Sequence, residues 1–294
     1  RITSDDVEKA ATGLRASAAQ PREERVELPD GMSLQALVAG PADAPVTLVF
    51  LHGLGGSLST WSQLMGEFVD KARLIALDLP GHGRSDKPEP GAFDYSVAGL
   101  AGAVGEALTQ LGAAPAVLVG HSLGGAVAMQ LALDQPQLVR GLVLVNSAGL
   151  GREIGSELLD RVEAEPSLEE ARAMLDLFFE DKRLILDRGV DEMYQTRSGP
   201  GADAAMKAAA AAAFSRDGQT LDLPDKLGEI ARPTLVVWGE FDRVVPVGHA
   251  ANAATKIPGS WLQTVRGVGH VPQVEAPAEV AAVMRRWLQR LPAA

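Results

Sequence analysis

The segment Val117-Leu118-Val119-Gly120-His121-Ser122-Leu123-Gly124-Gly125 sets a G-x-S-x-G motif directly after an apolar run and directly before a helix-like stretch. A serine at so tight a strand–helix turn is pushed out at the carboxyl edge of the sheet, and glycines stand where flanking side chains would collide. The helix that follows aims its N-terminus at the hydroxyl, which favours developing negative charge. Ser122 is therefore the candidate nucleophile of an acyl transfer.

A serine hydroxyl needs a neighbouring base. The chain has 5 histidines. His121 adjoins the serine, and as a strand–turn residue it is expected to face elsewhere. His52, in His52-Gly53-Leu54-Gly55-Gly56, reads as a packing and loop-shaping residue. His82, in Pro80-Gly81-His82-Gly83-Arg84-Ser85, reads as a locally hydrogen-bonded loop residue, and His249 falls on an expected surface helix. His270 follows the last apolar run, in Gly267-Val268-Gly269-His270-Val271-Pro272, on a loop able to reach the sheet's carboxyl edge. It is the candidate base. Trp238-Gly239-Glu240-Phe241-Asp242 places Asp242 just beyond a strand, as the acid that orients the imidazole. The chain order is then Ser…Asp…His. Glu240 is its competitor.

Carbonyl attack leaves an oxyanion that needs preorganised N–H donors; losing one costs about 10²–10³ in rate. One donor is expected from Leu123, the residue after the nucleophile. The other is expected from the glycine-rich loop: the Leu54 N–H, with Gly53 and Gly55 as rivals. That loop lacks the Lys-Ser/Thr ending of a phosphate-binding loop and the last glycine of G-x-G-x-x-G. No histidine–carboxylate cluster has metal-ligand spacing, so no metal is expected, and simple hydrolysis would require no cofactor.

These residues need a scaffold. Val46–Leu51, Leu74–Leu77, Ala116–Val119, Leu142–Val145, Thr234–Trp238 and Leu262–Val265 are short, almost continuously apolar runs, the signature of strands covered on both faces. Val26–Leu28 and Leu34–Val38 flank a Pro29-Asp30-Gly31 turn. Helix-like stretches at Trp61–Phe68, Val97–Leu111, Leu123–Leu133, Pro246–Thr255 and Ala278–Leu288 alternate with the runs. The expected fold class is α/β: a mostly parallel, doubly wound sheet of about eight strands. From Gly149 to Asp225 the alternation stops and the chain reads as entirely helical, with segments at Ser167–Glu180 and Asp203–Phe214. Residues 149–225 are thus expected to form a helical cap inserted after the sixth strand, over a core of residues 24–148 and 226–294. Residues 1–23 read as a short helix capped by Thr3 and an Ala/Pro linker.

Composition narrows the partners. The chain has 294 residues, 46% hydrophobic and 22% charged, with net charge -11 and no cysteine. Acidity of this size gives no electrostatic case for nucleic acid or an anionic membrane. The missing cysteines exclude disulfides and thiolate chemistry and suit a reducing cytoplasm. No apolar run nears the roughly 20 residues that span a bilayer. The chain begins with Arg1 rather than Met.

From about Glu24 onward the chain resembles the α/β-hydrolase superfamily, on His52–Gly56, Asp78–Ser85, Gly120–Gly125, Trp238-Gly239…Asp242 and Gly269-His270. More narrowly, it resembles the catalytic domain of the dihydrolipoamide acetyltransferase subunit of acetoin dehydrogenase complexes. That likeness rests on Asn146–Gly151, Met174–Asp181, Phe214…Asp217-Gly218-Gln219 and Val271–Glu275. Arg1–Glu8 is similar to the end of a peripheral subunit-binding domain, which implies dehydrogenase-complex partners. The resemblance implies acetyl transfer with lipoamide or coenzyme A as co-substrate. The chain departs from the His-x-x-x-Asp-Gly signature of the usual complex acyltransferases, so the implied route is an acyl-enzyme on Ser122, from an ester or thioester to water or a thiol. Two alternatives stand beside it: a carbon–carbon bond hydrolase of ring-cleavage products, and a non-catalytic scaffold.

Overall fold

The computed structural model describes residues 20–292. The Thr3-capped helix, the docking-module likeness at residues 1–8 and most of the Ala/Pro linker lie outside them. Eight strands make the main sheet: β1 (Arg22–Glu27), β2 (Ser33–Ala39), β3 (Thr47–Leu51), β4 (Arg73–Leu77), β5 (Ala116–His121), β6 (Val139–Val145), β9 (Thr234–Gly239) and β10 (Trp261–Val265), numbered to leave β7 (Phe214–Ser215) and β8 (Gly218–Gln219) for a small hairpin. Their spatial order is β1-β2-β4-β3-β5-β6-β9-β10. β2 pairs antiparallel with β1 and β4, and every other pairing is parallel.

The expected α/β class with a mostly parallel eight-stranded sheet is the observed one. Every residue of β5 and β9 is buried, as a strand covered on both faces requires. One face packs under the helices Val97–Gln110 and Leu123–Asp134, through residues such as Leu100, Val104, Val127 and Leu131. The other packs under Ser62–Gly66 and Pro277–Leu288, through Trp61, Leu64, Met284 and Trp287. Full burial of such a side chain stabilises by about 1.5–3 kcal/mol.

Three expectations need correction. β1 starts at Arg22, ahead of Val26, because an edge strand needs only backbone pairing and carries its charges outward. The stretch Trp61–Phe68 is a 3₁₀ turn, Leu58–Trp61, followed by a five-residue helix, Ser62–Gly66. There the Phe68 N–H reaches back only three residues, to Met65 O at 3.0 Å, and turns the chain toward β4. Between β6 and β9 the chain is helical at Ser156–Glu163, Leu168–Phe178, Asp187–Ser198 and Ala202–Ala213, but not entirely so: β7 and β8 form a two-stranded hairpin. The alanine run is a packed helix face, with Ala205, Ala209, Ala210 and Ala213 buried.

Candidate active site

β5 ends at His121, and the helix Leu123–Asp134 begins two residues later, so Ser122 alone makes the turn. Its backbone pays for that with φ 52°, ψ −120°, a conformation that costs a non-glycine residue on the order of 1–3 kcal/mol. The hydroxyl makes no capping hydrogen bond with the helix it precedes. A Cβ at Gly120 would stand 2.4 Å from Gly124 O, and one at Gly124 would stand 2.3 Å from Leu51 O. The turn therefore closes only with glycine at both positions.

His270 and Asp242 meet across the ends of β10 and β9. His270 Nδ1 donates to Asp242 Oδ2 at 2.9 Å. With its proton on Nδ1, the ring keeps the Nε2 lone pair free, the form a general base needs. Asp242 Oδ2 also accepts from Asn146 Nδ2 at 2.7 Å. Its Oδ1 accepts the N–H groups of Val244 and Val245 at 2.7 and 3.0 Å. Burial pushes the Asp242 carboxyl up, but the His270 charge and these hydrogen bonds outweigh it, and the group sits below the ordinary aspartate value. Glu240 is exposed and accepts from Gly267 N at 3.1 Å, apart from the imidazole.

Ser122 and His270 share one neighbourhood through His121. The His121 ring lies 4.7 Å, centroid to centroid, from that of His270, and its Nε2 is 2.8 Å from His270 O. His121 is thus corrected from a residue facing elsewhere to a buried brace of the candidate base. Burial, then the His270 charge, pushes its pKa down to about 3. Among the described residues no hydrogen bond joins Ser122 Oγ to His270 Nε2; such contacts commonly tighten only around a substrate.

The glycine loop after β3 lies against the serine: a Cβ at Gly53 would be 3.1 Å from Ser122 Cβ. His52 Nδ1 is 2.7 Å from Gly53 O, and the Gly56 N–H donates to the same oxygen at 3.1 Å. His52 Nε2 accepts from Leu79 N at 3.0 Å, which leaves the proton on Nδ1 as donor to Gly53 O. In a trans peptide the carbonyl and the next N–H point opposite ways. Holding the Gly53 carbonyl toward His52 therefore turns the Leu54 N–H away from it. Leu123 opens its helix, so its N–H has no intrahelical acceptor.

Some residues that build the site were not singled out from sequence. Asn146, at φ 43°, directly follows β6 and ties Asp242 to Gly239 N (3.1 Å) and Gly269 O (3.3 Å). A polar residue at a buried strand end is the signal that could have found it. Phe178 O accepts from His270 N at 2.7 Å, and the two rings lie 5.2 Å apart. Glu275 accepts from Gly269 N at 2.8 Å, and from Glu180 N and Asp181 N at 2.9 and 3.0 Å, joining the His270 loop to the cap. His249 is also corrected: on the helix Gly248–Lys256 it turns inward and its Nε2 lies 2.7 Å from Glu153 Oε2. No group of three or more His, Cys, Asp or Glu among the described residues is placed to hold a metal ion. No helix among them is long and apolar enough to cross a membrane.

Residues 46–277 match the family model for the alpha/beta hydrolase fold. The dihydrolipoyllysine-residue acetyltransferase component of the acetoin cleaving system of Cupriavidus necator is 31% identical over 242 residues, covering 82% of this chain. The chain spans 63% of that relative's length. A 2-hydroxymuconate semialdehyde hydrolase from Pseudomonas sp. is 32% identical over 253 residues, covering 84% of this chain and 88% of its own. Among solved structures, a membrane phospholipase A superposes with TM-score 0.81 at 26% identity, covering 99% of this chain and 91% of its own.

Proposed function

This chain belongs to the alpha/beta hydrolase fold family, and from that premise we propose that it is a serine-triad acyl-transfer enzyme working through an acyl-enzyme on Ser122. The observation that carries this reading is the His270 Nδ1–Asp242 Oδ2 hydrogen bond of 2.9 Å beside a serine held at φ 52°. It fixes the ring through Nδ1 and turns Nε2 away from Asp242, while His121 links the His270 loop to the strained Ser122 turn.

The step runs as follows. The Ser122 Oγ lone pair forms a bond to the acyl carbon while its proton passes to His270 Nε2. The carbonyl π pair moves onto oxygen, where the Leu54 and Leu123 N–H groups receive it. As the carbonyl re-forms, the bond from carbon to the leaving oxygen or sulfur breaks, and His270 returns its proton to that atom. Water or a thiol, deprotonated by the same histidine, then attacks the acyl carbon; the bond from carbon to Ser122 Oγ breaks, and His270 returns its proton to Oγ. Asp242 keeps its charge throughout and stabilises the imidazolium.

Esters and thioesters are the substrate class. The acetyltransferase relative supports a thioester donor, with lipoamide or coenzyme A as co-substrate and complex partners for the whole protein. The hydrolase relative supports a second reading, cleavage of a carbon–carbon bond in a ring-cleavage product by the same triad. The test measures acetyl-dihydrolipoamide turnover with and without coenzyme A, beside p-nitrophenyl acetate and a vinylogous diketone acid. Acyl transfer predicts ester or thioester turnover that Ser122→Ala abolishes. Turnover of the diketone acid alone supports the second reading, and undiminished turnover in Ser122→Ala removes the serine from the mechanism.

A further inference from the structure

The loop that carries His270 is closed by Glu275. The Glu275 N–H donates to Val271 O at 3.0 Å, so the chain turns back on itself directly after the candidate base. The two carboxylate oxygens then face different bodies. Oε1 accepts from Gly269 N at 2.8 Å, on the base's own loop. Oε2 accepts from Glu180 N and Asp181 N at 2.9 and 3.0 Å, just past the cap helix Leu168–Phe178. Hydrogen bonds to an ionised carboxylate are roughly twice as strong as neutral ones. The His270 N–H adds a further bond across the same seam, to Phe178 O at 2.7 Å.

The seam has no slack. A Cβ at Gly269 would stand 2.8 Å from Glu180 N and 3.1 Å from Glu275 Oε1, and would also meet Phe178 O. On the sheet side, Asn146 Nδ2 donates to Gly269 O at 3.3 Å, and a Cβ at Gly239 would collide with that oxygen. The peptide joining Gly269 to His270 is thus held by its oxygen from the sheet and by its N–H from the cap. The acid's loop is tied to the same stretch of cap. Arg243, beside Asp242, donates through Nη2 to Asp176 O and, at 3.4 Å, to Phe179 O. Lys182 Nζ donates to the same two carbonyls. Carbonyls at a helix C-terminus lack N–H partners and favour cations.

We infer that Glu275 is a positioning residue for His270. Its carboxylate bridges the base's loop to the cap and so sets where the imidazole stands relative to Ser122. A displacement of about 1 Å at a reacting group can cost on the order of 10²-fold in rate. The bridge needs two acceptor oxygens, one for each body, and an amide has only one. The inference rests on the acyl-transfer reading and adds to it a residue that acts through the base without touching substrate.

The experiment compares wild type, Glu275→Ala and Glu275→Gln. It measures kcat and KM for p-nitrophenyl acetate, the rate of fluorophosphonate labelling of Ser122, and the melting curve. Forming and hydrolysing the acyl-enzyme both pass a proton through His270, so kcat reports the base whichever step limits. Glu275→Ala should lower kcat by about 10- to 100-fold, with KM within about twofold of wild type. Labelling should slow in parallel, since the probe also needs the base. Glu275→Gln keeps one acceptor oxygen and should fall between alanine and wild type in both rates. The glutamine variant decides the matter should the alanine variant fail to fold. A role confined to holding the cap in place would lower the melting temperature and raise KM while leaving labelling at the wild-type rate. That pattern overturns the inference, and so does wild-type kcat in folded Glu275→Ala or a glutamine variant no faster than alanine. Wild-type protein that the probe does not label, or undiminished turnover in Ser122→Ala, instead overturns the acyl-transfer reading beneath it.

Discussion

His52→Leu should lower kcat by about 10- to 100-fold while leaving KM nearly unchanged. The Gly53 carbonyl is held by two donors, His52 Nδ1 at 2.7 Å and Gly56 N at 3.1 Å. Removing one neutral hydrogen bond takes away about 0.5–1.5 kcal/mol of bias on that peptide, worth up to about tenfold by itself. Should the peptide rotate fully, the Leu54 donor is lost, and that loss is worth about 10²–10³-fold. The surviving Gly56 bond places the expected effect between these limits. The effect belongs in kcat because the Leu54 N–H meets charge that develops only in the transition state. Leucine also leaves the buried Leu79 N–H without its 3.0 Å acceptor, so stability should fall by about 1–3 kcal/mol. His52→Asn provides the control: its amide N–H stands near the Nδ1 position and should recover most of kcat. Steady-state kinetics on p-nitrophenyl acetate with parallel melting curves give both numbers. A folded His52→Leu with wild-type kcat would refute the argument, and so would a loss confined to KM.

Two further outcomes follow from the buried groups. Asp242→Asn should reduce kcat by about 10³–10⁴-fold, because an amide NH₂ facing His270 Nδ1–H and Asn146 Nδ2–H forces a different imidazole tautomer; activity close to wild type would move the acid role to Glu240. Acid stability should fall early. Burial holds His52 down to about 4, and burial with a neighbouring histidine holds His82 and His121 down to about 3. The unfolded chain, titrating near 6.5, then binds the extra protons, so the stability these residues contribute is whole above pH 6.5 and is lost as pH falls toward their folded values. At pH 5 the loss is about 2 kcal/mol for each. Urea melts at pH 7.5, 6 and 5 should show that decline, and a flat midpoint across the range would contradict it.

Much of this site is legible in the chain because its chemistry is tied to local backbone demands. Gly120-His121-Ser122-Leu123-Gly124 announces a turn that only glycines permit, and the close approaches at Gly120 and Gly124 are what those glycines allow. The strands were legible for a related reason: β5 and β9 are buried on both faces and so are apolar throughout. What depends on the far side of a contact was not legible. His121 is a strand residue by spacing, and only the fold brings the His270 carbonyl to its Nε2. Asn146 and Glu275 act across 96 and 95 residues. The inward turn of His249 depends on Glu153, 96 residues earlier. The hairpin of β7 and β8 has two residues in each strand, too few for a period of two to emerge.

The most direct trial of the acyl-enzyme account is peptide mass mapping of the protein after brief exposure to a fluorophosphonate. The account predicts one adduct, on Ser122, absent from Ser122→Ala and formed far more slowly in His270→Ala. An adduct on another residue, or none on folded wild-type protein, would contradict it.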